Sequence, residues 1–225
     1  MRRTAILLIA ASTISLGCQP ARKVQNTLAL GEIQNQAGFA ENNGDDAKAI
    51  ELWNEYVNRR PQQASAQYRL GKLLLSNGQP EAATDHLWVA HDLNPGNLEY
   101  LDLLAESMHQ AGERENMFQL LQDTIEEGGL AAGHLRLAKH SLRAGLIDEA
   151  EESIRIAAAV DGNQSDRAHR ALASLARQTG DSESEIQAWR TVLWFEPGDL
   201  EANTRLSELG EIPGPSLATP PRTSD

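Results

Sequence analysis

Apolar residues recur along this chain at helical spacing in paired segments, and each pair is divided by a polar turn centred on glycine. Gly44, Gly78, Gly112, Gly145 and Gly180 mark these turns, at separations of 34, 34, 33 and 35 residues. A period of this length is the signature of an array of two-helix units. One such unit cannot bury its apolar stripe alone, so neighbouring units must stack and share a core. The pattern predicts an all-α chain with five helix pairs between about Leu30 and Asp199. One further helix follows, with Asp199 as its N-cap, Leu200, Leu206 and Leu209 as its buried stripe, and Gly210 past its end. Glu201, Arg205 and Glu208 should face water, as befits the helix that closes a stack.

The residues at fixed places in the repeat carry a more specific signal. The first unit contains Gly44, Ala49, Trp53, Tyr56 and Pro61 in order. The second has Leu70, Gly71, Leu74, Gly78, Ala83, Leu87, Ala90 and Pro95, with Pro80 placed as the first residue of its second helix. Glycine permits the positive φ that follows a helix, alanine lets two helix backbones approach, and proline cannot continue a helix. This sequence resembles the tetratricopeptide repeat (TPR). The fifth unit keeps Leu172, Ala173, Ala176, Gly180, Trp189, Val192 and Pro197 but has Glu185 in place of the small alanine. The fourth has Ala138, Ala150, Ile154 and Ala157, with Gly162 instead of the closing proline. The third departs most, with Met117 for the alanine and Gly129 for the proline. The resemblance implies a right-handed α-solenoid of about five TPR helix pairs, spanning residues 30–210 with the capping helix, whose partners are proteins or peptides.

The two ends of the chain read differently. Arg2 and Arg3 precede an apolar run from Ala5 to Ser15, and Leu16, Gly17 and Cys18 follow. Basic, apolar and small residues in that order make an export signal. About eleven apolar residues are too few to span a bilayer, which takes about 20. The end of this segment resembles the bacterial lipobox, although Ser15 and Leu16 depart from its usual residues. The resemblance implies a signal peptide over 1–17, lipidation of Cys18 and a tether over 18–29. Gln19 after the cysteine, in place of aspartate, implies the outer membrane, facing the periplasm. An ordinary secretory leader with an incidental thiol is the other reading. Cys18 is the only cysteine, so no internal disulfide is possible. From residue 211 the chain carries Pro213, Pro215, Pro220 and Pro221 among Ser, Thr and Gly, a composition expected to be disordered.

Charge narrows the function. The formal net charge is −12 and mean hydropathy is −0.44, and loss of Arg2 and Arg3 with the leader would make the mature chain more acidic still. Such a surface repels phosphate backbones, which argues against nucleic-acid partners. The chain has no phosphate loop, nucleophile elbow or zinc-protease helix, and its six histidines are scattered. No catalytic, cofactor or metal role is expected. Trp53 and Trp189 take the repeat's aromatic place and should be core, whereas Trp88 and Trp194 lie off it, covering a seam between units or anchoring a partner.

Helical spacing puts Glu99, Asp102 and Glu106 on one face of the third unit's first helix. The corresponding helices of the next two units carry Arg136, Lys139 and Arg143, then Arg167, Arg170 and Arg177. These are the helices that line the concave groove in TPR proteins. One reading is a groove that captures a carboxylate-bearing peptide, and the other is a solvated charge network joining the units. The sequence thus points to a lipid-anchored scaffold or adaptor in a bacterial envelope assembly, with a soluble periplasmic adaptor or a regulator of an envelope hydrolase as the alternative.

Overall fold

The computed structural model describes residues 29–212, 214 and 217–221. The expected signal peptide, Cys18 and all but the last residue of the tether lie outside them. Among the described residues there are eleven α-helices and no strand. They pair as α1 (Leu30–Asn42) with α2 (Asp46–Arg59), α3 (Ala64–Ser76) with α4 (Pro80–Leu93), and α5 (Leu98–Gln110) with α6 (Arg114–Asp123). The series continues as α7 (Leu130–Arg143) with α8 (Ile147–Asp161), α9 (Arg167–Thr179) with α10 (Ser182–Phe195), and α11 (Leu200–Glu208). Each helix packs on the next in sequence, and α5 also touches α3 and α7, as α7 touches α9. This is a helical-repeat solenoid.

The five turn glycines all have positive φ, between 70° and 79°. That conformation reverses the chain within a few residues at little steric cost only when Cβ is absent, which explains why the period is legible from glycine alone. Capping follows local chemistry: Asp45, Asn97, Asp181 and Asp199 each accept hydrogen bonds from backbone N–H groups of the helix they open. Pro80 opens α4 as its first residue.

Ala49, Ala83 and Ala150 are wholly buried, so the small residue of α2, α4 and α8 lies in the interior of its helix pair. Gly71 serves the same closeness from the other side, since a Cβ there would come within 2.6 Å of Leu87 Cγ. Trp53 and Trp189 are core residues. The apolar interior runs unbroken from Ile33 in α1 through Leu121 in α6 to Leu137 in α7. Two smaller clusters, one around Ile154 and one around Trp189 and Leu206, continue it to α11.

Two expectations for the C-terminal end need correction. Leu200 is 80% exposed, because no further helix among the described residues covers the start of α11. Arg205 does not simply face water: its Nη2 lies 2.8 Å from Oε1 of the buried Glu185, which also accepts from Trp189 Nε1 at 3.3 Å. The carboxylate at the alanine position is thus held by a cation from the closing helix. A buried charge without such a partner is strongly unfavourable.

The tail is likewise not free along its whole described length. Leu217 is buried, 6% exposed, in the cluster around Trp189. Thr219 donates its backbone N–H to the Arg190 carbonyl at 3.1 Å and its hydroxyl receives Gln187 Nε2 at 3.2 Å. Arg190 binds Glu211 at 2.6 Å. Composition predicts disorder because prolines and small polar residues offer little apolar surface, but one leucine in a ready pocket suffices to dock part of this strand.

Candidate functional site

The charged residues singled out on α5, α7 and α9 are brought together mostly with one another. Asp102 on α5 is the hub. Its Oδ1 lies 3.4 Å from Arg136 Nε and 3.4 Å from His140 Nε2, and its Oδ2 accepts from Lys139 Nζ at 3.2 Å. Residues 136, 139 and 140 share a face of α7 by their spacing of three and four, so a single α5 carboxylate meets all three. Burial works against the charged form of Asp102, but the hydrogen bond from His140 and the ammonium of Lys139 outweigh it and hold the carboxyl below its ordinary range. One turn further on, Glu106 pairs with Arg143. Glu99 instead turns back to α3 and accepts from Tyr68 Oη at 2.5 Å. Burial first, and then this bond to a carboxylate, push the Tyr68 phenol above its ordinary range.

Arg170 on α9 turns toward α11. It donates to Asp166 at 2.5 Å and to Asp199 at 2.7 Å, with Glu196 at 3.3 Å and Glu201 at 3.8 Å. The bond to Asp199 raises the Arg170 pKa, and the same bond lowers that of Asp199. Arg167 and Arg177 are exposed and show no partner among the described residues. Seven of the nine charges, Glu99, Asp102, Glu106, Arg136, Lys139, Arg143 and Arg170, therefore join neighbouring units. Arg136, only 8% exposed, is built into the stack.

Three participants escaped sequence reasoning. Tyr68 and His140 belong to the same polar ladder, and Gln178 on α9 donates to the Leu142 carbonyl of α7 at 3.0 Å. His140 could have been found from its i, i+4 relation to Arg136. Tyr68 could not, because its partner lies 31 residues away. Arg69 extends the ladder to α1 through Glu41 at 2.9 Å.

Two clefts open between the second helices of successive units. One, of about 760 Å³, lies between α8 and α10 over α9 and includes Ile154, Leu172, Leu175 and His169 in its walls. His169 stacks beside Phe195, and burial pushes its imidazole below the ordinary range. The other, of about 380 Å³, lies between α4 and α6 over α5. Among the described residues no group of His, Cys, Asp or Glu forms a metal-binding cluster, and no helix is long and apolar enough to cross a membrane.

The tetratricopeptide repeat family model matches residues 40–97 and 135–193, more than half of the chain. The chain belongs to the TPR family. The stretch left unmatched between these two blocks contains α5 and α6, the unit whose sequence departs most from the TPR pattern. No curated protein matches this chain. Among solved structures, the MamA protein is similar with a TM-score of 0.54 at 17% identity, covering 80% of this chain and 94% of its own. TTC0263, a thermophilic TPR protein of Thermus thermophilus, gives 0.50 at 21% identity over 80% and 98% of the two chains. A TPR protein of Parabacteroides merdae gives 0.57 at 17% identity over 80% and 72%. At these identities the likeness concerns the fold. The TPR fold in turn supports an interaction scaffold whose partners are proteins or peptides.

Proposed function

We propose that this TPR chain is a lipid-anchored scaffold that holds partner proteins in an assembly at the bacterial envelope, on the outer membrane and facing the periplasm. The observation that carries the anchor is the order Arg2, Arg3, apolar run, Gly17, Cys18, joined to a solenoid that has no other cysteine. The solenoid supports the scaffold half of the reading, since an extended stack of helix pairs offers a long surface on which several segments can dock. A single acyl chain binds membranes only marginally, so a stable anchor requires the several chains of a mature bacterial lipoprotein. Arg167 and Arg177, which carry no partner among the described residues, are the cations of the predicted groove best placed for a carboxylate-bearing peptide. The remaining seven charges position the helices that present them.

Metabolic labelling with a tagged fatty acid tests the anchor. The wild-type chain should take up label and fractionate with membranes, whereas Cys18→Ser should leave an unlabelled, unprocessed precursor. An unlabelled wild-type chain would overturn the anchor and leave a periplasmic adaptor. Capture of the same proteins from membranes by wild type and by Arg167→Glu/Arg177→Glu would remove these arginines from the recognition surface.

A further inference from the structure

The cleft between α4 and α6 is lined by acidic and apolar side chains. Three carboxylates stand in its walls: Asp85 on α4, Glu113 at the start of α6 and Asp123 at its end. None of the three takes part in an ion pair among the described residues. Among the described residues the Glu113 carboxylate accepts from Asn116 Nδ2, at 3.1 Å, and that of Asp123 from Gln119 Nε2, at 2.8 Å, and these neutral donors leave the charge uncompensated. No lysine or arginine lines the cleft. Beside Asp85, one turn along α4, stands Trp88 with 47% of its surface exposed. Val89 and Leu93 continue an exposed apolar strip on the same helix, while Met108 and Leu120 close the floor.

The cleft borders the irregular third unit. α6 has ten residues, where the other second helices have fourteen or fifteen, and Met117 occupies the alanine position, buried against α5. Among the described residues α4 and α6, like the other second helices of successive units, do not approach one another closely. An indole face left open beside uncompensated carboxylates attracts a cation that can shed part of its water, since the ring quadrupole and the anionic rim act in the same direction. At about 380 Å³ the space suits one or two long side chains rather than a whole helix.

We propose that this cleft is a docking site for a basic segment of a partner protein, with one lysine or arginine side chain lying over Trp88 near Asp85 and further basic side chains facing Glu113 and Asp123 at the two ends of α6. The site gives the scaffold reading above a second surface, on the face opposite in chemistry to Arg167 and Arg177. It rests on that reading but not on the lipid anchor, because binding can be read in solution.

The test is fluorescence anisotropy of a labelled oligolysine peptide, with oligoglutamate as control, against the full-length chain in detergent. Wild type should bind oligolysine, and Trp88→Ala should weaken it about tenfold, with Trp88→Phe keeping most of the affinity. Asp85→Asn/Asp123→Asn should also weaken binding about tenfold. A charge-matched variant on the other cleft, Glu151→Gln/Glu183→Gln, should change it less than twofold. Circular dichroism confirms that each variant keeps its helices. Equal losses in the two double variants would show attraction to the acidic surface at large and overturn the site, as would the absence of oligolysine binding. Preference for oligoglutamate would also overturn it and move recognition to the α9 arginines. Failure of Cys18 lipidation leaves all of these outcomes untouched, so the two proposals fail separately.

Discussion

In the second unit Gly71 and Ala83 let α3 and α4 close on one another, whereas in the third unit Met117 stands where Ala83 would and α6 stops after ten residues. Pro80 and Pro95 bound α4 sharply. After α6 the chain instead runs through turns to Gly128 and Gly129, both with positive φ, before α7 begins. The third unit recovers its connection to the fourth in another way. Gly133 brings α7 so near the preceding turn that a Cβ there would fall 1.7 Å from the Ile125 carbonyl oxygen. Asp102 and Glu106 then tie α5 to α7 through Arg136, Lys139, His140 and Arg143. Where the second helix is short, the apolar interior still reaches Leu137 in α7, and one close backbone approach and a set of charge pairs reinforce the junction.

The largest losses of stability are expected at the closest contacts of the two units. Gly133→Ala should cost about 3 kcal/mol or more in urea unfolding, because a carbonyl oxygen fixed in the backbone cannot yield as a side chain can. Gly71→Ala should cost less, about 1 to 2 kcal/mol, since its nearest neighbour is the Leu87 side chain and the backbone oxygen of Ala83 stands farther off, at 3.2 Å. If the two were equal, backbone and side-chain contacts would not differ in the way described.

Enlarging Ala83 to Leu should overpack the regular unit and cost roughly 1 to 3 kcal/mol. Met117→Ala in the irregular unit should also destabilise, here by opening a cavity, at about 2 to 4 kcal/mol. The same position thus resists change in opposite directions in the two units, which paired melting curves would show.

The α5–α7 charges allow a finer test. Asp102→Asn should cost about 1 kcal/mol at neutral pH, a modest value because Asp102 is more than a third exposed. The folded-state pKa of Asp102 is lowered, so its contribution is complete above the unfolded value near 3.8 and is lost as pH falls through the lower folded value. Wild type and Asp102→Asn should therefore differ above about pH 4 and converge toward pH 2. Smaller still is Leu217→Ala, which should cost about 1 kcal/mol by releasing the docked tail from α10. Arg167→Glu should change stability by no more than about 0.5 kcal/mol.

The helix count, the five turns and the buried alanines were all legible in the chain. Each depends on local geometry: positive φ asks for glycine, close crossings ask for alanine, and helix ends ask for Asp, Asn or Pro. The faces carrying Glu99, Asp102 and Glu106 on α5 and Arg136, Lys139 and Arg143 on α7 were legible for the same reason, because spacing along a helix fixes which residues share a side. Their partners were not. Whether Asp102 reaches Arg136 or a bound peptide depends on how far apart α5 and α7 sit, and that distance is set by Gly133 and Ile125, which are not part of the charged face. Glu185 shows the same division. Its departure from the repeat was visible in the sequence, but only the tertiary structure brings Arg205, twenty residues on, to the buried carboxylate. Sequence periodicity therefore determined the helices and their sides, while packing between non-neighbouring turns decided which charges are spent inside the stack and left Trp88, Arg167 and Arg177 facing outward.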